Sequence, residues 1–128
     1  MQEFKFLNYQ INSQIAEIII NRPPINAFNI QLLDEILSSL ELAKNDGTVR
    51  AVLIKSNLEK IFCAGLDLDI LIDKPILKVR EFLERLYVKL WDVQYNMGKP
   101  TIAVVNGSAR GGGMTLACLL YTSDAADE

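Results

Sequence analysis

The sequence predicts an α/β fold in which strands and helices alternate within one domain. Three observations indicate this class: apolar runs of strand length, two longer segments with a 3.6-residue apolar period, and glycine-containing turns where a strand-like run passes into a helix-like one. The 128 residues suffice for one modest domain, and no Gly/Ser-rich or proline-rich linker divides them. The predicted order is β-β-α-β-α-β-α, so repeated strand–helix units form the fold.

The first three predicted elements are two strands and a helix. Residues 4–11 and 14–20 are strand-like runs, and Asn12-Ser13 between them predicts a hairpin turn. The prolines that follow the second run end it, because proline cannot donate to a sheet ladder. Asn29 suits the N-cap of a helix over residues 30–45, whose apolar positions repeat with helical period, and Gly47 marks its end.

The second half of the sequence continues the alternation. Residues 50–56 read as a strand buried on both faces, and residues 101–106 as another strand. Between them, residues 76–97 predict a long helix with a charged, solvated outer side. The apolar side of this helix comprises Val79, Phe82, Leu83, Leu86, Leu90, Val93 and Met97. A third helix begins at the glycines that follow the last strand.

The final residues do not continue this pattern. A helix that begins at Gly112 is expected to run for several turns, yet the sequence loses its apolar period after residue 117. We therefore expect residues 1–117 to be the N-terminal part of a larger domain, so that the fold is truncated. We expect residues 118–128 to be an unassigned tail that is foreign to it.

Composition excludes several function classes. The net charge of −3 argues against nucleic acid as a partner, and no apolar stretch reaches the length of a membrane span. The N-terminus lacks a signal-peptide pattern, so we expect a cytoplasmic protein. Histidine is absent, which excludes a Ser-His-Asp triad and an imidazole-bound metal. Cys63 and Cys118 match no metal-binding spacing, and Cys63 in an apolar run reads as a small buried hydrophobe.

Two glycine turns are the strongest functional signal. Gly111-Gly112-Gly113 lies between a strand-like run and a helix-like run, and Gly65 lies in a similar turn within residues 63–67. Backbone N–H groups at such a helix start are unpaired and suit an anion, or an oxygen that becomes anionic during a reaction. The spacing matches neither a P-loop, nor a dinucleotide fingerprint, nor a nucleophile elbow. For the triple glycine considered by itself, a turn that serves close packing alone is an alternative with the same weight as a ligand-binding role.

Three segments together resemble one family. They are residues 21–29 (NRPPINAFN), residues 62–68 (FCAGLDL) and residues 99–107 (KPTIAVVNG), the last followed by the three glycines. In order and spacing they resemble motifs of the enoyl-CoA hydratase/isomerase (crotonase) superfamily. The resemblance covers residues 1 to about 117, which correspond to the N-terminal half of the family's domain.

The resemblance implies a spiral of repeated β-β-α units, trimers or hexamers in the intact family, and an acyl-coenzyme A substrate. It implies that the backbone N–H groups of Leu66 and Gly112 hold the thioester carbonyl and stabilise an enolate. It also implies substrate-binding residues around both turns, namely Ala27, Ala64, Gly65, Leu66, Asp67, Leu68 and Gly112. No metal or redox cofactor is implied, since coenzyme A is part of the substrate.

The sequence departs from the hydratase pattern at Thr115. Hydratases of the family carry a glutamate there, and a threonine hydroxyl is not a general acid or base near neutral pH without an activating partner. The second catalytic carboxylate of hydratases, and the single one of isomerases, lie beyond the matched segments. Enoyl-CoA hydratase is our first expectation, with residues 1–128 inactive by themselves. A double-bond isomerase and a non-catalytic acyl-CoA-binding protein are the alternatives.

Four charged side chains near these motifs have two interpretations each. Asp67 suits the cap of a short helix that begins near Leu68, a role we favour over direct catalysis. Arg22, Lys55 and Lys60 are placed to meet coenzyme A phosphates, although exposed basic side chains are ordinarily only solvated.

Overall fold

A computed structural model describes residues 3–118 and 121–122, and within them the chain forms two β-sheets and four α-helices. The strands, in chain order, are β1 (Leu7–Asn12), β2 (Ile15–Ile20), β3 (Ala51–Ser56), β4 (Ile61–Cys63), β5 (Thr101–Val104), β6 (Ser108–Ala109) and β7 (Tyr121–Thr122). The larger sheet has the order β1-β2-β3-β5-β7, in which β1 and β2 are antiparallel and the other neighbours are parallel. The predicted α/β class is confirmed.

Four helices accompany the strands. They are α1 (Ile30–Asn45), α2 (Ile76–Glu84), α3 (Leu90–Tyr95) and α4 (Gly112–Cys118), with a 3₁₀ turn at Leu68–Ile70 and a π-helical turn at Arg85–Lys89 that joins α2 to α3. Fully buried side chains from β2, β3 and α1 form the centre of the core, among them Ile18, Ile20, Leu33, Ile36, Leu40 and Ile54. Within the described residues, none of the helices has the length and apolarity that crossing a membrane requires.

The predicted hairpin is present, with its turn one residue later than expected. Asn12 is already paired with Ile15, so the two turn residues are Ser13 and Gln14. Both have positive φ, 52° and 67°, as a tight two-residue hairpin turn requires. The prediction placed the turn at Asn12-Ser13 because asparagine and serine are the more frequent turn residues.

Helix α1 has the predicted bounds and is held at both ends. At its start the Asn29 Oδ1 accepts a hydrogen bond from the Leu32 N–H at 2.7 Å, which confirms the predicted N-cap. At its end the Lys99 Nζ donates to the carbonyl oxygens of Ala43 at 2.6 Å and Asp46 at 2.8 Å. A lysine from the segment before β5 therefore satisfies two carbonyls at the negative end of the helix dipole.

The long helix differs from its prediction in two respects. It contains the π-helical turn and ends at Tyr95, whereas the apolar period predicted one helix to residue 97. Its inner side is buried as expected, at Phe82, Leu86 and Leu90. Its outer side is not simply the charged face that was predicted, because the side chains of Tyr87, Val88, Trp91 and Tyr95 are also exposed there. The rings of Trp91 and Tyr95 stack with their centroids 4.8 Å apart.

The second sheet was not predicted. Strand β4 pairs in parallel with β6, so that Ile61 lies opposite Ser108 and Cys63 opposite Ala109. Strands of two or three residues are too short to show a period of two in the sequence. This small sheet places the two glycine turns side by side, since each turn follows one of its strands.

The predicted division at residue 117 stays a prediction. Residues 119–120 and 123–128, which contain most of the proposed tail, lie outside the described residues. Of the rest, Cys118 ends α4, and Tyr121 and Thr122 pair with Ile102 and Ala103 of β5.

We predict that Lys99→Met lowers the free energy of unfolding by about 1–2 kcal/mol, because two terminal carbonyls of α1 lose a charged donor. Urea unfolding followed by circular dichroism measures this change. Lys78→Met is the control: its side chain is largely exposed on α2 and lies 3.9 Å from Glu81, so we expect a change below about 0.5 kcal/mol. Equal losses in the two variants would contradict the role of Lys99.

Candidate active site

Three chain segments meet at the predicted site. Residues 22–28 lie beside residues 63–68 through a parallel bridge between Phe28 and Leu66. In this bridge the Phe28 N–H donates to the Gly65 oxygen at 2.7 Å, and the Asp67 N–H donates to the Phe28 oxygen at 2.9 Å. The Ala64 N–H donates to the Ile25 oxygen at 3.1 Å, which extends the contact. The segment after β2 and the first glycine turn are therefore fixed to each other by main-chain hydrogen bonds.

The second glycine turn packs directly on the first. The Arg110 N–H donates to the Cys63 oxygen at 3.0 Å, and a Cβ atom on Gly65 would lie 2.9 Å from the Arg110 oxygen and 3.6 Å from the Gly112 nitrogen. Gly65 also has a φ of +99°, which side-chain-bearing residues rarely adopt. Glycine is therefore required at residue 65 by both its backbone conformation and the approach of the neighbouring turn.

The direction of the Leu66 N–H follows from the bridge. In a trans peptide the carbonyl and the N–H of one unit point in opposite directions. Because the Gly65 oxygen accepts the Phe28 N–H, the Leu66 N–H of the same unit points away from Phe28. Within the described part of the chain it donates no hydrogen bond.

The direction of the Gly112 N–H follows from its own peptide unit in the same way. The Gly111 oxygen accepts hydrogen bonds from the Thr115 N–H at 3.1 Å and from the Thr115 Oγ1 at 3.3 Å. The Gly112 N–H of that unit therefore points outward from the start of α4, where helical geometry supplies no acceptor. Among the described residues it has no acceptor either. The structure thus brings together two main-chain donors, at Leu66 and Gly112, on adjoining turns.

Apolar side chains lie beside Gly112. A Cβ on Gly112 would lie 3.1 Å from the Phe28 ring and 3.3 Å from a Leu86 methyl carbon, and both of these side chains are fully buried. Low local polarity strengthens a hydrogen bond to an oxygen that gains negative charge. The arrangement is chemically suited to such an oxygen.

A groove of about 400 Å³ runs beside the first turn. It is lined by Arg22, Pro23, Pro24, Ile25, Ala27, Leu66, Asp67 and Leu68. Four predicted substrate-binding residues, Ala27, Leu66, Asp67 and Leu68, therefore share one surface. Ala64, Gly65 and Gly112 do not line this groove, and their role in binding stays a prediction.

Asp67 performs the capping role that was favoured for it. Its Oδ1 accepts the Asp69 N–H at 3.1 Å at the start of the 3₁₀ turn, and its Oδ2 lies 3.0 Å from the Arg22 Nη2. The Lys55 Nζ lies 3.0 Å from the Glu17 Oε1. A hydrogen bond from the Gln10 side chain, followed by this contact with Lys55, lowers the pKa of Glu17. Arg22 and Lys55 thus both hold carboxylates of this chain.

Sequence reasoning missed the buried Asn26, which organises the segment between Arg22 and Phe28. Its Oδ1 accepts the Arg22 N–H at 2.7 Å, and its Nδ2 donates to the Ser56 Oγ at 2.8 Å and the Phe62 oxygen at 3.0 Å. Its φ of +54° is one that asparagine tolerates better than most residues. An asparagine soon after two prolines was the available signal, since it is typical of a turn.

Cys63 is a buried, unreactive thiol. It is fully buried, as predicted, and its Sγ donates to the Asn26 oxygen at 3.1 Å. Burial raises the pKa of this thiol from its ordinary value of 9.0 to about 11. The described residues contain no group of three or more His, Cys, Asp or Glu side chains arranged to hold a metal ion.

Comparison with known proteins identifies the family. The sequence model of the enoyl-CoA hydratase/isomerase family matches residues 10–126. The human protein "enoyl-CoA hydratase domain-containing protein 2, mitochondrial" is 36% identical over 104 residues, which are 80% of this chain and 35% of that protein. Mouse "enoyl-CoA delta isomerase 1, mitochondrial" is 30% identical over 103 residues, 80% of this chain and 35% of that protein.

A solved structure supports the same relationship. The crystal structure of an enoyl-CoA hydratase from Shewanella pealeana superimposes with a TM-score of 0.85 at 26% identity, covering 93% of this chain and 46% of that one. The chain belongs to the enoyl-CoA hydratase/isomerase family and has its crotonase fold. It spans about a third of the length of the curated relatives described above.

We predict that Gly65→Ala lowers the free energy of unfolding by about 3 kcal/mol, because a Cβ there meets the Arg110 carbonyl in addition to an unfavourable φ. Gly98→Ala is the matched control, since Gly98 also has a positive φ, +71°, but its Cβ would meet open space. We expect a loss of about 1 kcal/mol there. Thermal unfolding of both variants measures the difference, and equal losses would show that the contact between the turns is unimportant.

Stability is predicted to fall at alkaline pH through Cys63. A folded-state pKa raised from 9.0 to about 11 means that the unfolded chain loses this proton first. The contribution of the neutral thiol is therefore intact below about pH 9 and declines as pH rises toward 11, by about 2 kcal/mol. Unfolding free energies of the wild type and Cys63→Ala between pH 8 and 11 test this, because other titrations cancel in the difference. Parallel pH profiles would contradict the prediction.

Proposed function

We propose that this chain binds the thioester carbonyl of an acyl-coenzyme A between the N–H groups of Leu66 and Gly112. The observation that carries the proposal is the pair of main-chain donors on adjoining turns, each directed by a hydrogen bond to the carbonyl of its own peptide unit. Membership of the enoyl-CoA hydratase/isomerase family supports the choice of substrate class.

The proposed chemistry is stabilisation of a thioester enolate. When a proton leaves the carbon beside the thioester, or a nucleophile adds to a conjugated double bond, negative charge develops on the carbonyl oxygen. Two donors already fixed in direction stabilise this charge without rearranging. Removing one such donor ordinarily raises a reaction barrier by about 3 kcal/mol. No metal or redox group is needed for this step.

The groove lined by Ala27 and residues 66–68 is proposed to receive the coenzyme A part of the substrate. It lies beside the Leu66 donor, and its apolar lining from Pro23, Pro24 and Ile25 suits the uncharged pantetheine arm of coenzyme A. Arg22 and Asp67 in the same lining neutralise each other. Recognition here therefore depends on shape and main-chain groups rather than on a free charge.

Hydration of an enoyl-CoA is the reaction that we place first. Named relatives include both a hydratase-domain protein and an isomerase, so either reaction class agrees with the family. Thr115 does not supply the proton-transfer group, because its hydroxyl is engaged with the Gly111 oxygen and has no activating partner among the described residues. Double-bond isomerisation is the second candidate, and a non-catalytic acyl-CoA-binding protein the third.

Calorimetric titration with crotonyl-CoA tests the binding proposal. We expect Gly112→Pro to weaken binding about tenfold, because proline removes one donor at a helix position that otherwise tolerates it. Gly112→Ala is the control: it adds a Cβ at the same crowded place, 3.1 Å from the Phe28 ring, and keeps the N–H, so it should bind more tightly than Gly112→Pro. Equal affinities of the two variants would contradict a role for this donor.

Turnover distinguishes the two enzymatic candidates. Loss of the conjugated enoyl absorbance on incubation with crotonyl-CoA would indicate a hydratase, and conversion of a 3-enoyl-CoA to its conjugated isomer would indicate an isomerase. Binding without either reaction in residues 1–128 agrees with a binding protein and with a chain whose proton-transfer group lies elsewhere.

A further inference from the structure

We propose that Arg22 is a positioning residue that polarises the Leu66 N–H through two intervening peptide units. The Arg22 Nη1 donates to the Ala27 oxygen at 2.8 Å, and the N–H of the same peptide unit, that of Phe28, donates to the Gly65 oxygen at 2.7 Å. The N–H of the next unit in this series is that of Leu66. We call this series, from the Arg22 guanidinium through the Ala27–Phe28 and Gly65–Leu66 units, the peptide relay.

The direction of polarisation follows from the order of donors and acceptors. A cation at the Ala27 oxygen draws electron density toward it and makes the Phe28 N–H a stronger donor. The stronger bond to the Gly65 oxygen then makes the Leu66 N–H a stronger donor in turn, since hydrogen bonds in series reinforce one another. Positive charge at one end of the peptide relay therefore favours negative charge at the other.

Burial makes this effect larger than it would be at the surface. Phe28 is fully buried, Gly65 is buried, and the side chain of Arg22 is only 22% exposed. The Phe6 ring further covers the guanidinium, whose Cζ lies 5.3 Å from the ring centroid. Solvent screening is weak along such a path, so the guanidinium charge acts on the peptide units with a low effective dielectric.

Asp67 holds the Arg22 guanidinium in place, and its negative charge near Leu66 is in turn offset by that guanidinium. Its Oδ2 contacts the other terminal nitrogen, Nη2, at 3.0 Å, which leaves Nη1 on the Ala27 oxygen. The carboxylate lies one residue from the Leu66 donor, where an uncompensated negative charge would oppose an oxyanion. Arg22 therefore offsets Asp67 and polarises the donor with one side chain.

A nuclear magnetic resonance experiment on the free chain tests the peptide relay without any ligand. In ¹⁵N-labelled Arg22→Met we expect the Phe28 amide proton to move upfield because its hydrogen bond to the Gly65 oxygen weakens. We expect the Leu66 amide proton to move upfield as well, because its peptide unit becomes less polarised. Lys55→Met is the matched control, since it removes another partly buried ion pair, that with Glu17, without touching the relay. Its Phe28 and Leu66 signals should stay at their wild-type positions.

Two variants separate the relay from the ion pair. Asp67→Asn removes the carboxylate and keeps the cation, so the Leu66 amide should stay near its wild-type position or move downfield. The double variant Arg22→Met with Asp67→Asn should show the upfield shift of the single arginine variant. If Arg22→Met does not fold, Arg22→Lys replaces it, with a smaller upfield shift expected. A folded arginine variant whose Leu66 signal matches that of Lys55→Met would overturn the relay.

The expected effect of the peptide relay on a bound thioester carbonyl rests on the proposed function, and a separate experiment measures it. With crotonyl-CoA labelled with ¹³C at its thioester carbonyl, binding to the wild type should move the carbonyl signal downfield, and Arg22→Met should reduce this movement. An unchanged movement in Arg22→Met would overturn the role of the relay at the carbonyl. Absence of binding to the wild type would instead overturn the proposed function, while the amide shifts of the free chain still decide whether the relay exists.

Discussion

The hydrogen bond from the Phe28 N–H to the Gly65 oxygen is the interaction on which the rest of the site depends. At 2.7 Å it joins two segments that are 37 positions apart in the sequence, and it fixes the peptide unit that carries the Leu66 N–H. A donor that is fixed before substrate arrives does not have to be ordered during the reaction, which is the condition for electrostatic stabilisation. Asn26, Arg22 and the small β4–β6 sheet all support this one contact by holding its two segments.

Close backbone contact explains the glycines better than flexibility does. The turn at Gly65 lies against the Arg110 carbonyl and the Gly112 nitrogen, and a Cβ on Gly113 would overlap the Cys63 carbonyl. Side chains would separate the turns and, with them, the two donors. From the sequence, close packing and ligand binding are two competing interpretations of the glycines. In the structure the two interpretations are compatible. Tight packing of the turns is what places the donors on adjoining positions.

Much of the fold could be predicted because its signals are local. The N-cap at Asn29, the apolar period of α1 and the hairpin each depend on residues that are close together in the sequence, and all three are present. The β4–β6 pairing and the π-helical turn could not be predicted, since neither produces a period in the sequence. The exposed aromatic side chains near Trp91 were not predicted, because the charged residues between them indicate a wholly solvated helix face. In the site, the turns were identified from glycine, whereas Asn26 and the partner of Arg22 required the tertiary structure.

Thr115 shows how the site can differ from the hydratase pattern and still keep its donors. Both its N–H and its hydroxyl donate to the Gly111 oxygen, and this carbonyl belongs to the peptide unit whose N–H is that of Gly112. A residue with a hydroxyl therefore adds a second hydrogen bond to the unit that directs one donor, in a position where the resemblance described above implies a glutamate in hydratases. The orientation of the two N–H donors and the transfer of a proton are therefore separate requirements. The orientation depends on peptide geometry within residues 22–115. Proton transfer needs a titratable group, which Thr115 does not provide. Under the proposed function, peptide geometry therefore orients the donors independently of the group that moves the proton.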